Sequence, residues 1–140
     1  MINNGFLKIK LDKGAIAPTR AHPYDAGLDL YAMNDGVVIY SETFDTGVHL
    51  EIPEGWVGFL KSKSGLMVNH NITTDGTIDA HYTGSIKVKL FNHGSLPYEV
   101  KAGDKIAQLV IVPCLLPELE LVDSLDETDR GDNGFGSTGR

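Results

Sequence analysis

The chain has 140 residues, room for one domain of ordinary size with a real hydrophobic core. Twelve Lys and Arg stand against nineteen Asp and Glu, a formal net charge of −7. That balance excludes a general nucleic-acid coat protein, which would be basic, but not the binding of one phosphorylated small molecule in a locally basic pocket. The single cysteine, Cys114, excludes an intrachain disulfide scaffold and a cysteine-rich zinc site. Glycine supplies 16 residues, well above an average share of about 7%.

The N-terminus carries no long apolar run behind a basic start. Phe6 to Leu11 alternates imperfectly, as an edge strand does. Tyr24 to Ala32 places Asp29 inside a predicted strand, where a charge needs a partner or a metal-bound water. Val37 to Tyr40, Gly47 to Ile52 and Trp56 to Leu60 are β-rich runs. Ser64 to His70 is the best helix candidate, with Ser64 near its first turn. Ser85 to Leu90 alternates strictly, with Ile86, Val88 and Leu90 on one face and Lys87 and Lys89 on the other. Ile106 to Val112 is almost continuously apolar, as a strand buried on both faces would be. Glu118 to Val122 alternates again.

Turn chemistry falls between these runs, at Asn34 to Gly36, Pro53 to Gly55, Asp75-Gly76, Asn92 to Gly94 and Ala102 to Asp104. Short strands at this spacing predict an all-β sandwich or barrel. No long amphipathic helix is present, so βαβ repetition is excluded. The longest apolar stretch, Ile106 to Leu116, is broken by Gln108 and Pro113 and is too short to span a membrane. The expectation is a soluble protein of a reducing compartment. From Leu125 the composition turns polar and glycine-rich. Residues 1–124 therefore read as the core and 125–140 as a tail, either a disordered end or an arm that orders on a ligand.

Four groups of residues invite chemistry. The tail fits Gly-x-Gly-x-x-Gly at Gly134, Gly136 and Gly139, but no strand precedes it and no helix follows, so the dinucleotide fingerprint fails. Glycine backbone N–H groups, the hydroxyls of Ser137 and Thr138, and the charges of Arg130 and Arg140 still suit phosphate oxygens. Phe135 offers a face for a base. Lys61 to Leu66 ends a strand and opens the helix, where an anion or an ordinary Ser cap would both fit. Asp79 stands at a strand end, where a carboxylate can take a proton from water or simply build a turn. His81 lies two residues on and would share its face on a strand. Gln108 lies in an apolar strand and needs a hydrogen-bond partner. The five histidines show no metal-ligand spacing.

In this order the segments resemble the homotrimeric dUTP pyrophosphatases, the dUTPases, which carry five motifs. Their counterparts are Ala26 to Ala32; Lys63 to Leu66; Gly76 to Asp79 with Tyr82, Gly84 and on to Asn92; Gly103 to Leu109; and Arg130-Gly131 with Gly134 to Gly139. The resemblance implies an all-β jelly roll with one short helix and a trimer with sites built between subunits. It implies Mg²⁺-assisted hydrolysis of dUTP to dUMP and pyrophosphate, in the cytoplasm or a host-cell cytoplasm. Asp79 would activate the water that attacks the α-phosphorus. Tyr82 would pack under the deoxyribose, with nucleotide contacts also from Thr73, Thr77, Ile78, Gly84 and Lys87. Lys63, Ser64, Gly65 and Gln108 would face the phosphates. Asp29 would hold waters of a Mg²⁺ that the triphosphate chelates. The arm would close over a neighbour's site, with Phe135 over uracil, Arg130, Ser137 and Thr138 toward the γ-phosphate, and Gly136 also contacting the substrate. Neither nucleic acid nor membrane is an expected partner; a dUTPase-like protein with an added regulatory role, in which arm closure is read by a protein partner, is an alternative reading.

Three positions depart from the family pattern. Lys63 stands where Arg is usual, and Lys cannot make the bidentate fork. His81 stands where an acidic residue is usual, and Thr73 where Asn is usual. A dCTP deaminase of the same fold is the alternative enzyme, but it would need a catalytic Glu and would lack the Phe-Gly-Ser-Thr-Gly arm.

Overall fold

The computed structural model of the protein describes residues 5–139. Arg140 and the first four residues lie outside them. In chain order the elements are β1 (Lys8–Leu11), β2 (Leu28–Tyr31), β3 (Gly36–Val38), β4 (Ser41–Asp45), β5 (Val48–Glu51), β6 (Trp56–Lys61), α1 (Ser64–His70), β7 (Ile72–Thr73), β8 (Asp75–Ile78), β9 (Lys87–Asn92), β10 (Tyr98–Val100) and β11 (Lys105–Pro113). The fold is all-β with one short helix.

The largest sheet runs β2-β11-β6-β8, entirely antiparallel. A second runs β4-β9-β7, and β1-β5 and β10-β3 form two further pairs. The predicted alternation decides which faces meet. On β9, Val88 and Leu90 are completely buried while Lys87 and Lys89 are exposed. They join Phe44 of β4 and Ile72 of β7 in one apolar cluster with Leu30 of β2, Leu60 of β6, and Ile106 and Leu109 of β11. β11 is central because it is apolar on both faces, and it pairs with β2 along one half and β6 along the other.

Helix α1 spans the predicted residues, and none of its side chains is buried. Its N-cap is Lys63, with no side-chain cap bond, so Ser64 is not a cap. Two other expectations fail. Asp75-Gly76 is not a turn but the start of β8, paired with Lys61 and Leu60. Gly76 lies against the Leu60 side chain, where an added Cβ would stand 3.0 Å from Cδ1, so close packing rather than turning explains this glycine. Glu118 to Val122 forms no strand. Leu119 and Leu121 are almost wholly exposed there, so the alternation has no neighbouring strand within the chain to pair with.

Candidate active site

Asp79 follows β8 and is exposed. The next residues form a tight turn rather than a strand. The Tyr82 N–H donates to the Asp79 carbonyl (3.2 Å), and His81 adopts a left-handed backbone with φ of 68°. His81 therefore does not share a face with Asp79 as expected. Its Nε2 lies 3.0 Å from Glu54 Oε1 instead.

The segment from His81 to Ile86 runs along β5 and is pinned at several points. The His81 N–H donates to the Ile52 carbonyl (3.4 Å), and the Ile86 N–H donates to the Val48 carbonyl (2.8 Å). The buried Thr46 hydroxyl donates to the Ile86 carbonyl at 2.7 Å. Ser85 Oγ donates to Asp45, which also accepts from the Gly47 N–H. Burial pushes the Asp45 carboxyl up, but the bonds from Ser85 and Gly47 and the charge of Lys87 together hold it below its ordinary value. Tyr82 is half-exposed, and its hydroxyl donates to the Ser85 carbonyl at 3.1 Å. Thr77 is exposed and shares a cleft with Asp79, Phe59, Trp56 and Cys114. Ile78 is 6% exposed and belongs to the core, so only its backbone can meet a ligand.

The second cluster lies around Asp29 on β2. Its neighbours are Gly27, Lys61, Lys63 and Gln108, which line one groove. Asp29 is 3% exposed. Oδ1 accepts from Lys63 Nζ at 2.5 Å, and Oδ2 lies 3.0 Å from Lys105 Nζ. Burial pushes this carboxyl up, but the hydrogen bonds and positive charges of Lys63 and Lys105 outweigh it and hold Asp29 below its ordinary value. Gln108 is half-buried and opens into the groove rather than into the core. A Cβ on Gly27 would stand 2.7 Å from Gln108 Oε1, so the first motif needs glycine to let the fourth approach. Ser64 and Gly65 are exposed at the start of α1. A Cβ on Gly65 would meet nothing within the chain, so any need for glycine there comes from outside it. Nothing local marks Lys105 in the sequence; its place beside Asp29 is visible only once β2 pairs with β11.

Among the described residues, no group of three or more His, Cys, Asp or Glu side chains could hold a metal ion. The groove nevertheless fits Mg²⁺ in one way. Mg²⁺ keeps several waters and takes phosphate oxygens readily. Asp29 would reach such an ion through water, with its remaining lone pairs, and the direct ligands would have to come from a bound phosphate.

These clusters lie apart along β6, one at the end of its partner strand β8 and one at its own C-terminal end. Asp79 follows Ile78, which pairs with Gly58, whereas Lys63 and Ser64 follow Lys61, which pairs with Asp75 and Gln108. The three-residue step from Gly58 to Lys61 alone spans about 10 Å of extended strand. Thr73 also lies away from Asp79, and its hydroxyl pairs with His93 Nε2 at 2.7 Å. Lys87 is exposed at the start of β9, near Asp45. In the tail, Arg130 Nε donates to the Asn133 carbonyl, and the N–H groups of Ser137 and Gly139 donate to Gly134 and Gly136. Phe135 is fully exposed. One protomer thus brings together Asp79, Thr77, Tyr82 and Gly84, and separately Asp29, Lys63 and Gln108, but does not join the two sets or add the tail.

The dUTPase family model matches residues 13–139. A deoxyuridine 5'-triphosphate nucleotidohydrolase of Syntrophotalea carbinolica is 44% identical over 95% of this chain and 96% of its own length. Its counterpart from Rattus norvegicus is 43% identical over 94% of this chain and 66% of its own length. The dUTPase of Staphylococcus bacteriophage 80alpha, solved with dUPNHPP, superposes with a TM-score of 0.88 at 32% identity, covering 97% of this chain and 99% of that one. That protein is described as controlling transfer of virulence genes by a proto-oncogenic G protein-like mechanism. A mutant dUTPase from phage phi11 of S. aureus, solved for its coordination of a structural Mg(II) ion, has a TM-score of 0.81 at 30% identity, covering 87% of this chain and 99% of that one. The chain belongs to the dUTPase family.

Proposed function

We propose that the chain hydrolyses dUTP to dUMP and pyrophosphate, as a homotrimer whose sites are each completed by neighbouring subunits. The observation that carries this reading is the separation along β6. An exposed carboxylate beside the Tyr82–Gly84 turn and a lysine-lined groove suited to phosphates lie apart along one strand, the first following its partner β8 and the second at its C-terminal end. A second subunit can bring the groove of one chain to the Asp79 of another.

In this reading Asp79 takes the proton of a water as its oxygen attacks the α-phosphorus, and the bond from that phosphorus to the bridging oxygen breaks. Pyrophosphate leaves with the bonding pair. Tyr82 packs under the deoxyribose, its ring held by the Ser85 carbonyl and by the space that Gly84 leaves. The backbone from Tyr82 into β9 reads uracil. Thr77 and Lys87 flank that turn, and Ile78 contributes through its backbone alone. Thr73 lies farther away and is the weakest of the expected contacts. Lys63, the Ser64 and Gly65 N–H groups and Gln108 face the phosphates. Mg²⁺, when bound, draws charge from the phosphate oxygens and so lowers the cost of the charge that develops there. Asp29 would hold it through water.

Residues 125–140 act as an arm over a neighbouring site. Their hydrogen bonds, as described, lie within the tail, and Phe135 is free to stack on a base. Arg130, Ser137 and Thr138 then reach the terminal phosphate, with Gly136 beside them on the substrate. The family match favours the hydrolase over the deaminase alternative. The reading places the enzyme in the cytoplasm with the nucleotide pool. Among the described residues, no helix is long and apolar enough to cross a membrane. A protein partner that reads arm closure is the alternative addition to this reading, and the description of the 80alpha relative supports it.

Mixed trimers test the shared site. Asp79→Asn and Lys63→Ala subunits, each weak alone, are refolded together. Regained dUTP hydrolysis supports a site built between subunits. A mixture no more active than its parts contradicts it.

A further inference from the structure

The turn that carries Tyr82 and Gly84 is also held at its middle by a side chain from β5. His49 is partly buried, its side chain 20% exposed. Its Nδ1 lies 2.7 Å from the Thr83 carbonyl oxygen, and its Nε2 lies 3.0 Å from Asp12 Oδ1. Both partners are obligate acceptors. A neutral imidazole offers one N–H and one lone pair, so one of the two contacts would set lone pair against lone pair. Only the imidazolium donates to both.

We infer that His49, as the imidazolium, is a positioning residue for the substrate turn, holding the Thr83 carbonyl against β5 and releasing it on deprotonation. The inference rests on the reading of Tyr82 to Ile86 as the sugar and base site. Thr83 lies between Tyr82 and Gly84, and its carbonyl belongs to the Thr83–Gly84 peptide, so the contact fixes that peptide plane beside Gly84. Of the other anchors, His81 on Ile52, Ile86 on Val48 and Thr46 on Ile86 do not titrate, and the Asp45 carboxylate that accepts from Ser85 is held below its ordinary value, so it stays ionised where His49 titrates. Loss of the His49 contact therefore loosens the turn without unfolding it.

The surroundings agree. Asp12 follows β1, and its N–H donates to the Gly47 carbonyl at 2.8 Å, which fixes the carboxylate beside β5. Lys10 stands opposite His49 in the β1–β5 register and opposes its charge. Lys8 and Glu51 line the same groove but pair with each other at 3.2 Å. The turn contributes Thr83 to that groove. The bond to Thr83, and after it the bond to Asp12, hold the imidazolium above its ordinary range, against partial burial and Lys10. A raised folded value means the contact is fully made below the ordinary value of about 6.5 and is lost as pH rises through the higher one.

The test measures KM and kcat for dUTP across pH in the parent, His49→Gln and Asp12→Asn proteins, with an NMR titration of the His49 ring. The parent should lose affinity on the order of tenfold above the His49 transition, the size of one charge-assisted hydrogen bond, with kcat little changed. His49→Gln should show the high KM already at low pH and lack this transition. Asp12→Asn is the sharper variant. Its carboxamide can donate to a neutral Nε2, so KM should stay low throughout. Titration of the substrate's own phosphate is common to all three proteins. A KM transition that persists in either variant overturns the inference. So does a His49 titration that leaves the Thr83 and Gly84 amide signals unmoved. A parent that does not hydrolyse dUTP would instead refute the reaction, and the NMR coupling would still decide the clamp.

Discussion

Gly84 lacks a side chain where Tyr82 needs the space: a Cβ on Gly84 would stand 2.5 Å from the Tyr82 hydroxyl and 2.7 Å from its Cζ. The two residues therefore form one device, a ring folded back over a bare stretch of backbone and tied to the Ser85 carbonyl.

Gly84→Ala should displace the ring and break that tie. The expected result is a loss of about 10- to 100-fold in kcat/KM for dUTP, the scale of a small misplacement at a reacting centre. The melting temperature should hardly move, since Tyr82 is half-exposed. Steady-state kinetics and thermal unfolding of the same preparation check both halves.

Removal of residues 125–140 should leave a folded, trimeric core. The hydrogen bonds described for Arg130, Gly131, Asn133, Ser137 and Gly139 stay within the segment. Turnover should fall at least tenfold, because an absent lid leaves the terminal phosphate in water. Sedimentation and pyrophosphate release on the truncated chain read the two effects separately. Full activity would make the tail a disordered end.

Asp29 links stability to acid. Its folded value is lowered, so its contribution is complete above the ordinary carboxylate value and is lost as pH falls through the lower folded one. Asp29→Asn should cost about 1–3 kcal/mol near neutrality, since it leaves Lys63 and Lys105 facing a neutral amide. The stability gap between the two proteins should be constant above about pH 5 and narrow below it. Urea unfolding as a function of pH measures that gap.

Chelation of Mg²⁺ should separate catalysis from folding. Excess EDTA is expected to lower kcat/KM for dUTP by about 10²–10³, the scale of lost transition-state charge stabilisation. The melting temperature without nucleotide should not change, because the described residues offer no metal cluster of their own.

Much of this was legible in the sequence because the signals were local. The Lys87–Asn92 alternation, the apolar β11 and the Ser64–His70 helix all appear where the residue pattern puts them. Strand β4 was not legible: Ser41 to Asp45 is polar apart from Phe44, and only its pairing with β9 makes it a strand. Asp75-Gly76 misled because turn chemistry and close packing both select glycine. Asp29 could be read as a buried charge in need of a partner, but its lysines come from positions 34 and 76 residues away, brought close by β6 and β11. The contacts of His49 to Asp12 and Thr83 span 37 and 34 residues and left no local trace. The motifs themselves could be found one by one, whereas their separation along β6 is a property of the sheet.

The most direct measurement is pyrophosphate release from dUTP, dTTP, dCTP and UTP by the parent and by Asp79→Asn, each with Mg²⁺. The account predicts strong preference for dUTP in the parent. It predicts a loss of roughly 10²–10⁴ in turnover for Asp79→Asn, with nucleotide binding retained, as removal of a general base requires. Equal use of the four nucleotides, or an Asp79→Asn protein as fast as the parent, would contradict it.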